Sequence, residues 1–304
     1  MKTREWPLVV FTVLVELGVG VLAFCLVYGL VTNGADIESY RILVLMGSGL
    51  TIVGLVTSMA HLGRPWGVYK AVYGLRNGAP LSIEMVATVL FLALTIICAV
   101  GLFGRDEGVL LTLALITIGV GLAAVLASAR VNMLETRPGW FSLLTPASFL
   151  LTAVVAGPLM VGAYLTMAGK DLGGTASSRF FTIASIVLTC GVVLEGLVAF
   201  AQLRSLESGG AAARLVAGRI KGSGLFWGRV IGIAVSVVLG IVLLTLAASH
   251  VSNLGVVVWL ALIVVLVGEF LSRTIFFSLY TQIDIGQVDV SGYAITPRNL
   301  SIGQ

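Results

Sequence analysis

Charge is scarce in this chain of 304 residues. Asp, Glu, Lys and Arg together make up 11% of it, against roughly 25% in soluble domains. Apolar residues reach 58% and mean hydropathy is +1.09, so most of the surface faces something other than water. Cysteine is rarer still: Cys25, Cys98 and Cys190 stand singly inside apolar stretches, with no CxxC among them. That spacing argues against iron–sulfur or structural zinc ligation by this chain. Histidine occurs only at His61 and His250. No internal repeat is visible, which counts against the repeat-built secondary transporters. The net charge of +4 does not point to nucleic acid, because cations in so apolar a chain sit in loops and report orientation.

What the sequence does have is long hydrophobic runs. A membrane span needs ~20 predominantly apolar residues, and eight runs qualify: 6–31, 41–59, 81–103, 109–129, 149–167, 180–202, 226–248 and 254–277. They are apolar all round, as in "VLFLALTIICAVGLF", so a β-barrel with alternating polarity is excluded. The expected fold is all-α, a polytopic bundle of eight transmembrane helices. Residues 1–281 form the membrane domain and 282–304 a polar tail. The first run is too long for a signal peptide and is expected to be retained. Pro158, deep in the fifth run, is expected to kink it.

Eight spans put both ends of the bundle on one side, here side A. Cations concentrate there, Arg76, Arg204, Arg214, Arg219 and Lys221 among them, against Arg41, Arg105, Lys170 and Arg179 on side B. By the positive-inside rule side A is cytoplasmic. Trp6, Trp66, Trp140 and Trp227 also fall on side A and read as interfacial anchors.

Ionisable residues inside a span cost several kcal/mol, roughly 2.5–3.5 on insertion scales, and tend to mark function. At 1.5 Å rise per residue they all lie in the side-A half or near the midplane. His61 ends the second span and Glu84 opens the third. Arg130 closes the fourth, and Arg229 opens the seventh. Glu269 and Arg273 sit at i, i+4 in the eighth, an order that favours an ion pair. Glu16 and Glu195 lie near the midplane, where they suit a proton path. His61 has no carboxylate at i±3 or i±4, and an imidazole titrating near neutrality suits a proton acceptor.

A bis-histidine haem is not expected, because His61 and His250 lie about 30 Å apart, a bilayer's thickness. No bound metal is expected either. A base and carboxylates at one interface, without a cofactor, suit a lipid-soluble quinol, whose oxidation releases two protons with two electrons. The electrons then require a metal centre in a partner.

Four stretches, "EWPLVVFT", "SMAHLGRP" with the following "LSIEM", "ETRPGWFSLLTPASFLLTAVVAGPL" and "GEFLSRTIFFSLY", occur in order between Glu5 and Tyr280. In these the chain resembles the DmsC-type membrane anchor of dimethyl sulfoxide reductase and related molybdoenzymes. The resemblance implies an anchor in the prokaryotic cytoplasmic membrane that oxidises menaquinol to menaquinone. Electrons would pass to an iron–sulfur subunit and then to a molybdopterin catalytic subunit. It assigns the quinol site to His61 and Glu84, with Glu269 and Arg273 carried in support. Arg64 and Arg130, cations at the same end, are read as supporting residues beside them. It also places side A against the iron–sulfur subunit, outside the cytoplasm, opposite to the charge rule. The tail is longer than the resemblance leads one to expect.

Two other readings stand beside it. One is a polysulfide-reductase or dehydrogenase anchor that reduces quinone, since the partner's potentials set the direction of flow. The other is a proton-coupled transporter using Glu16, Glu195 and the Glu269–Arg273 pair.

Overall fold

The computed structural model describes residues 6–33, 36–59, 71–101, 107–133, 140, 142–170, 175–249 and 254–279. Among these, all regular structure is helical: α1 (Trp6–Thr32), α2 (Ile37–Met59), α3 (Ala71–Gly74) with a 3₁₀ turn (Leu75–Asn77), α4 (Pro80–Gly101), α5 (Glu107–Asn132), α6 (Leu144–Met167), α7 (Thr175–Ser208), α8 (Ala211–Lys221), α9 (Gly224–Ala248) and α10 (Gly255–Leu279). Eight of them (α1, α2, α4, α5, α6, α7, α9 and α10) are long and apolar enough to cross a membrane. These are the eight runs anticipated from hydropathy. His61, Arg64, His250, Trp66 and the tail lie outside the described residues.

The differences are at the ends. α6 starts at Leu144 rather than residue 149 and continues through Pro158; its polar first turn, with Pro146, suits a helix start. α7 extends to Ser208. The Gly- and Ala-rich segment after it, read from the sequence as a loop, forms α8. Ala213, Val216, Ala217 and Ile220 bury one face of α8, which packs on α7, α9 and α10. Arg214, Arg219 and Lys221 remain exposed. Lys221 pairs with Glu207 of α7 and fastens α8 down, while Arg204 pairs with the same Glu207 within α7.

α1 and α6 form the axis of the bundle. In each, 78% of the most apolar window is buried, against 22–39% in the other spans. α2, α4 and α5 cover one flank and α7, α9 and α10 the other. Two glycines let α1 approach both neighbours. A Cβ on Gly18 would meet Thr51 Oγ1 of α2 at 2.7 Å, and a Cβ on Gly157 of α6 would meet the Gly20 carbonyl carbon at 2.6 Å. Gly18 and Gly20 are two residues apart, about 200° around the helix, so they serve opposite faces. Small residues at crossings are how membrane helices gain packing where lipid offers no hydrophobic drive.

Asp36 caps α2 at side B. Its Oδ1 accepts from Ser39 N at 3.3 Å and from Lys170 Nζ at 3.0 Å, and its Oδ2 accepts from Tyr28 OH at 2.9 Å. Burial raises the Asp36 carboxyl, but these hydrogen bonds outweigh it and hold the group below its ordinary value. The hydrogen bond to Asp36 holds Lys170 above its own.

At side A, Trp140 departs from the anchor role expected of it. Trp140 is buried, stacks on Phe276 with ring centroids 5.2 Å apart, and donates from Nε1 to Phe276 O at 2.7 Å. It ties the approach to α6 onto the last turn of α10. Trp6 and Trp227 are exposed, as anchors should be.

Candidate functional site

Glu16 of α1, Glu195 of α7, Arg229 of α9, and Glu269 and Arg273 of α10 are all buried and converge on α6. Each helix brings its charge to the same depth because successive spans alternate in direction. Glu16 lies about 15 Å of rise from the start of α1, and Glu269 the same from the end of α10. α6 contributes small polar residues here, Ser148 and Thr152, which leave room for a guanidinium.

Arg273 is the centre. Its Nη2 donates to Glu16 Oε2 at 2.7 Å, to Thr152 Oγ1 at 3.0 Å and to Ser148 O at 3.3 Å. Its guanidinium carbon lies 3.7 Å from the centroid of the Phe149 ring. Thr152 Oγ1 donates to Glu269 Oε2 at 2.7 Å. The expected Glu269–Arg273 ion pair therefore does not form. Arg273 pairs across to α1, and Thr152 relays between it and Glu269. A buried guanidinium has more donors than one neighbour on its own helix can use, so tertiary partners prevail over the i, i+4 preference.

Arg229 Nη2 donates to Glu195 Oε1 at 2.6 Å, and Glu195 and Glu269 line one small cavity together. Two small cavities flank this pair. The inner one, about 10 Å³, is lined by Glu195, Arg229, Ser236 and Glu269 among apolar residues. The outer one, about 50 Å³, opens toward side A between Gln202, Ile220, Phe226, Ser272 and Arg273. Arg229 Nη1, Arg273 Nε, Gln202 Nε2 and Glu16 Oε1 are buried without a hydrogen-bond partner among the described residues.

Of the expected quinol-site residues, His61 lies outside the described residues and Glu84 falls on the other flank. Glu84, in the second turn of α4, is buried beside the Ser128 hydroxyl of α5. Arg130, in the last turn of α5, is exposed and does not join the charged cluster. A larger cavity, about 430 Å³, lies between α1, α2, α4 and α5 at the side-B end, with Cys25, Tyr40 and Cys98 among apolar residues. It lies about 20 Å along α4 from Glu84 and carries no ionised group.

Arg229 and Thr152 were not among the site residues expected from the sequence. For Arg229 the signal was present, an arginine within an apolar run. For Thr152 there was none, because a threonine in a span ordinarily bonds its own helix.

The family described as DMSO reductase anchor subunit (DmsC) matches residues 1–279. The C subunit of the anaerobic dimethyl sulfoxide reductase of Escherichia coli (strain K12) is 29% identical over 295 residues, covering 92% of this protein and 96% of that one. The anaerobic dimethyl sulfoxide reductase subunit YnfH of the same strain is 30% identical over 208 residues, 64% of this protein and 69% of that one. Protein NrfD, also of that strain, is 22% identical over 105 residues, about a third of each.

Proposed function

The chain belongs to the DMSO reductase anchor subunit family, a multi-pass protein of the bacterial inner membrane, and from that membership we propose that it binds and oxidises menaquinol. The observation that carries the reading is the buried carboxyl of Glu84 near the side-A end of α4, beside the Ser128 hydroxyl of α5. A quinol hydroxyl matches that chemistry: it donates to a carboxylate and accepts from an alcohol. Glu84 takes one proton and His61, from the segment after α2, takes the other. The two electrons leave for an iron–sulfur partner docked at side A and pass on to a molybdopterin subunit. Arg64 and Arg130 add positive charge at the same end. The anchor domain ends near residue 281, with the tail outside it.

The transporter reading has less support. Glu16, Glu195, Glu269 and Arg273 are tied into an ion-pair network whose inner cavity ends against apolar side chains toward side B, and the family is one of anchors. Direction of flow follows the partner's potentials, so a quinone-reducing role uses the same site.

The test is turnover of the purified complex with a quinol donor and, separately, a soluble dye donor. His61→Ala is expected to lower quinol-dependent turnover by about 10²-fold or more while dye-driven turnover is unchanged. Full quinol activity in His61→Ala would sink the assignment. Glu84→Gln is expected to slow quinol oxidation in an intact complex; loss of assembly would make Glu84 structural.

A further inference from the structure

The charged cluster between α1, α6, α7, α9 and α10 has a surplus of carboxyls: Glu16, Glu195 and Glu269 face two guanidiniums, Arg229 and Arg273. Glu16 is taken by Arg273 and Glu195 by Arg229. Glu269 has a threonine hydroxyl and shares the inner cavity with Glu195. Three carboxylates facing two guanidiniums inside a membrane do not all ionise. The neutral state of the cluster therefore contains one proton, and it belongs on the cavity that Glu269, the carboxyl without a guanidinium of its own, shares with Glu195.

The cavities give that proton a way out in one direction. The outer one is large enough for water, and the unpartnered Arg229, Arg273 and Gln202 nitrogens belong to residues that line it. Unmatched buried donors around a polar space are where ordered water is found. Its rim is Gln202, half-exposed on α7, and Ile220 and Phe226 at the α8–α9 corner. Toward side B the inner cavity ends against Val155, Val192, Ile233 and Val265. Beyond those, α7 has no charged residue before Arg179 at its far end, and α9 and α10 have none.

We propose that the Glu195–Glu269 pair is a proton store that exchanges with water at side A through these two cavities and is closed to side B. Loading forms one carboxyl O–H bond, takes one proton from side-A water and transfers no electron; unloading reverses it. The Glu195–Arg229 ion pair stands between the two cavities as the relay. This inference is independent of the quinol reading, because it uses the opposite flank and needs no redox reaction.

The test is infrared difference spectroscopy of the whole complex in lipid during pH and H₂O/D₂O exchange, together with proton leak into proteoliposomes loaded with a pH dye. The wild type is expected to show a protonated-carboxyl C=O stretch that shifts in D₂O, with no leak above that of protein-free vesicles. Glu195→Gln and Glu269→Gln should each lose that band. Filling the outer cavity with Ser272→Leu, or with Ala199→Leu if the first does not assemble, should retain the band but slow its exchange by about tenfold or more, as a lost step in a water chain raises the barrier. A band that ignores D₂O, one that survives in both glutamine variants, or wild-type exchange in a filled variant that assembles would overturn the store. A protein-dependent proton leak would overturn its closure to side B.

Discussion

Arg273 shows how much a single residue can organise. It is 1% exposed, and it joins α1, α6 and α10 through Glu16, Ser148, Thr152 and the Phe149 ring. Removing one member of a buried pair leaves the other charge uncompensated, which costs about 3–5 kcal/mol. Arg273→Ala is therefore expected to lower the thermal unfolding temperature in detergent sharply. Arg273→Lys should recover little of it, since a compact ammonium lacks the planar face that stacks on Phe149. Measured unfolding of the two variants against wild type checks this. At side B, the sign of the pH dependence follows from the folded values of Asp36 and Lys170. Asp36 lies below its ordinary 3.8, so its contribution is present above that value and is lost as pH falls through the lower, folded one. Lys170 lies above 10.5, so its contribution is present below that and is lost at still higher pH. Asp36→Asn should remove the acid-side loss seen in the wild type, read from unfolding temperature against pH. The sequence made these residues visible as charges in or beside apolar runs. It did not make their partners visible, because Glu16 and Arg273 are 257 positions apart and a local pairing rule reaches only four.

At the scale of elements, the crossing of α1 with α6 depends on Gly20 and Gly157. Gly157→Leu would drive a side chain into the Gly20 backbone, 2.6 Å away before anything beyond Cβ is added. Neither helix can retreat, since α1 is also held against α2 at Gly18. The expected outcome is failure to accumulate in membranes, whereas Gly119→Leu, where a Cβ meets nothing within 4 Å, should accumulate normally; quantitative immunoblotting compares them. Hydropathy located all eight spans because a span must be continuously apolar over a length fixed by the bilayer. It missed α8, whose Ala- and Gly-rich sequence is too polar to register as a span. The signal was the spacing of Ala213, Val216, Ala217 and Ile220, a helical stripe in a segment read for its glycines. Trp140 was misplaced for the reverse reason. A tryptophan near a membrane edge is ordinarily an anchor, and only the tertiary fold shows Phe276 stacked beneath it.

At the scale of the whole molecule, α1 and α6 separate the two proposed sites. The flank of α2, α4 and α5 carries Glu84, and His61 follows α2 in the sequence. The flank of α7, α9 and α10 carries the charged cluster and its cavities. Sites this far apart with no shared partner should behave additively. The quinol turnover of a His61→Ala, Glu195→Gln double variant is therefore expected to be the product of the two single effects. The most direct measurement of the central claim is a fluorescence-quench titration of the membrane-bound complex with a quinol-site inhibitor, wild type against His61→Ala. The account predicts saturable, stoichiometric quenching in the wild type and its loss in the variant with the complex intact. Unchanged binding in His61→Ala would contradict it.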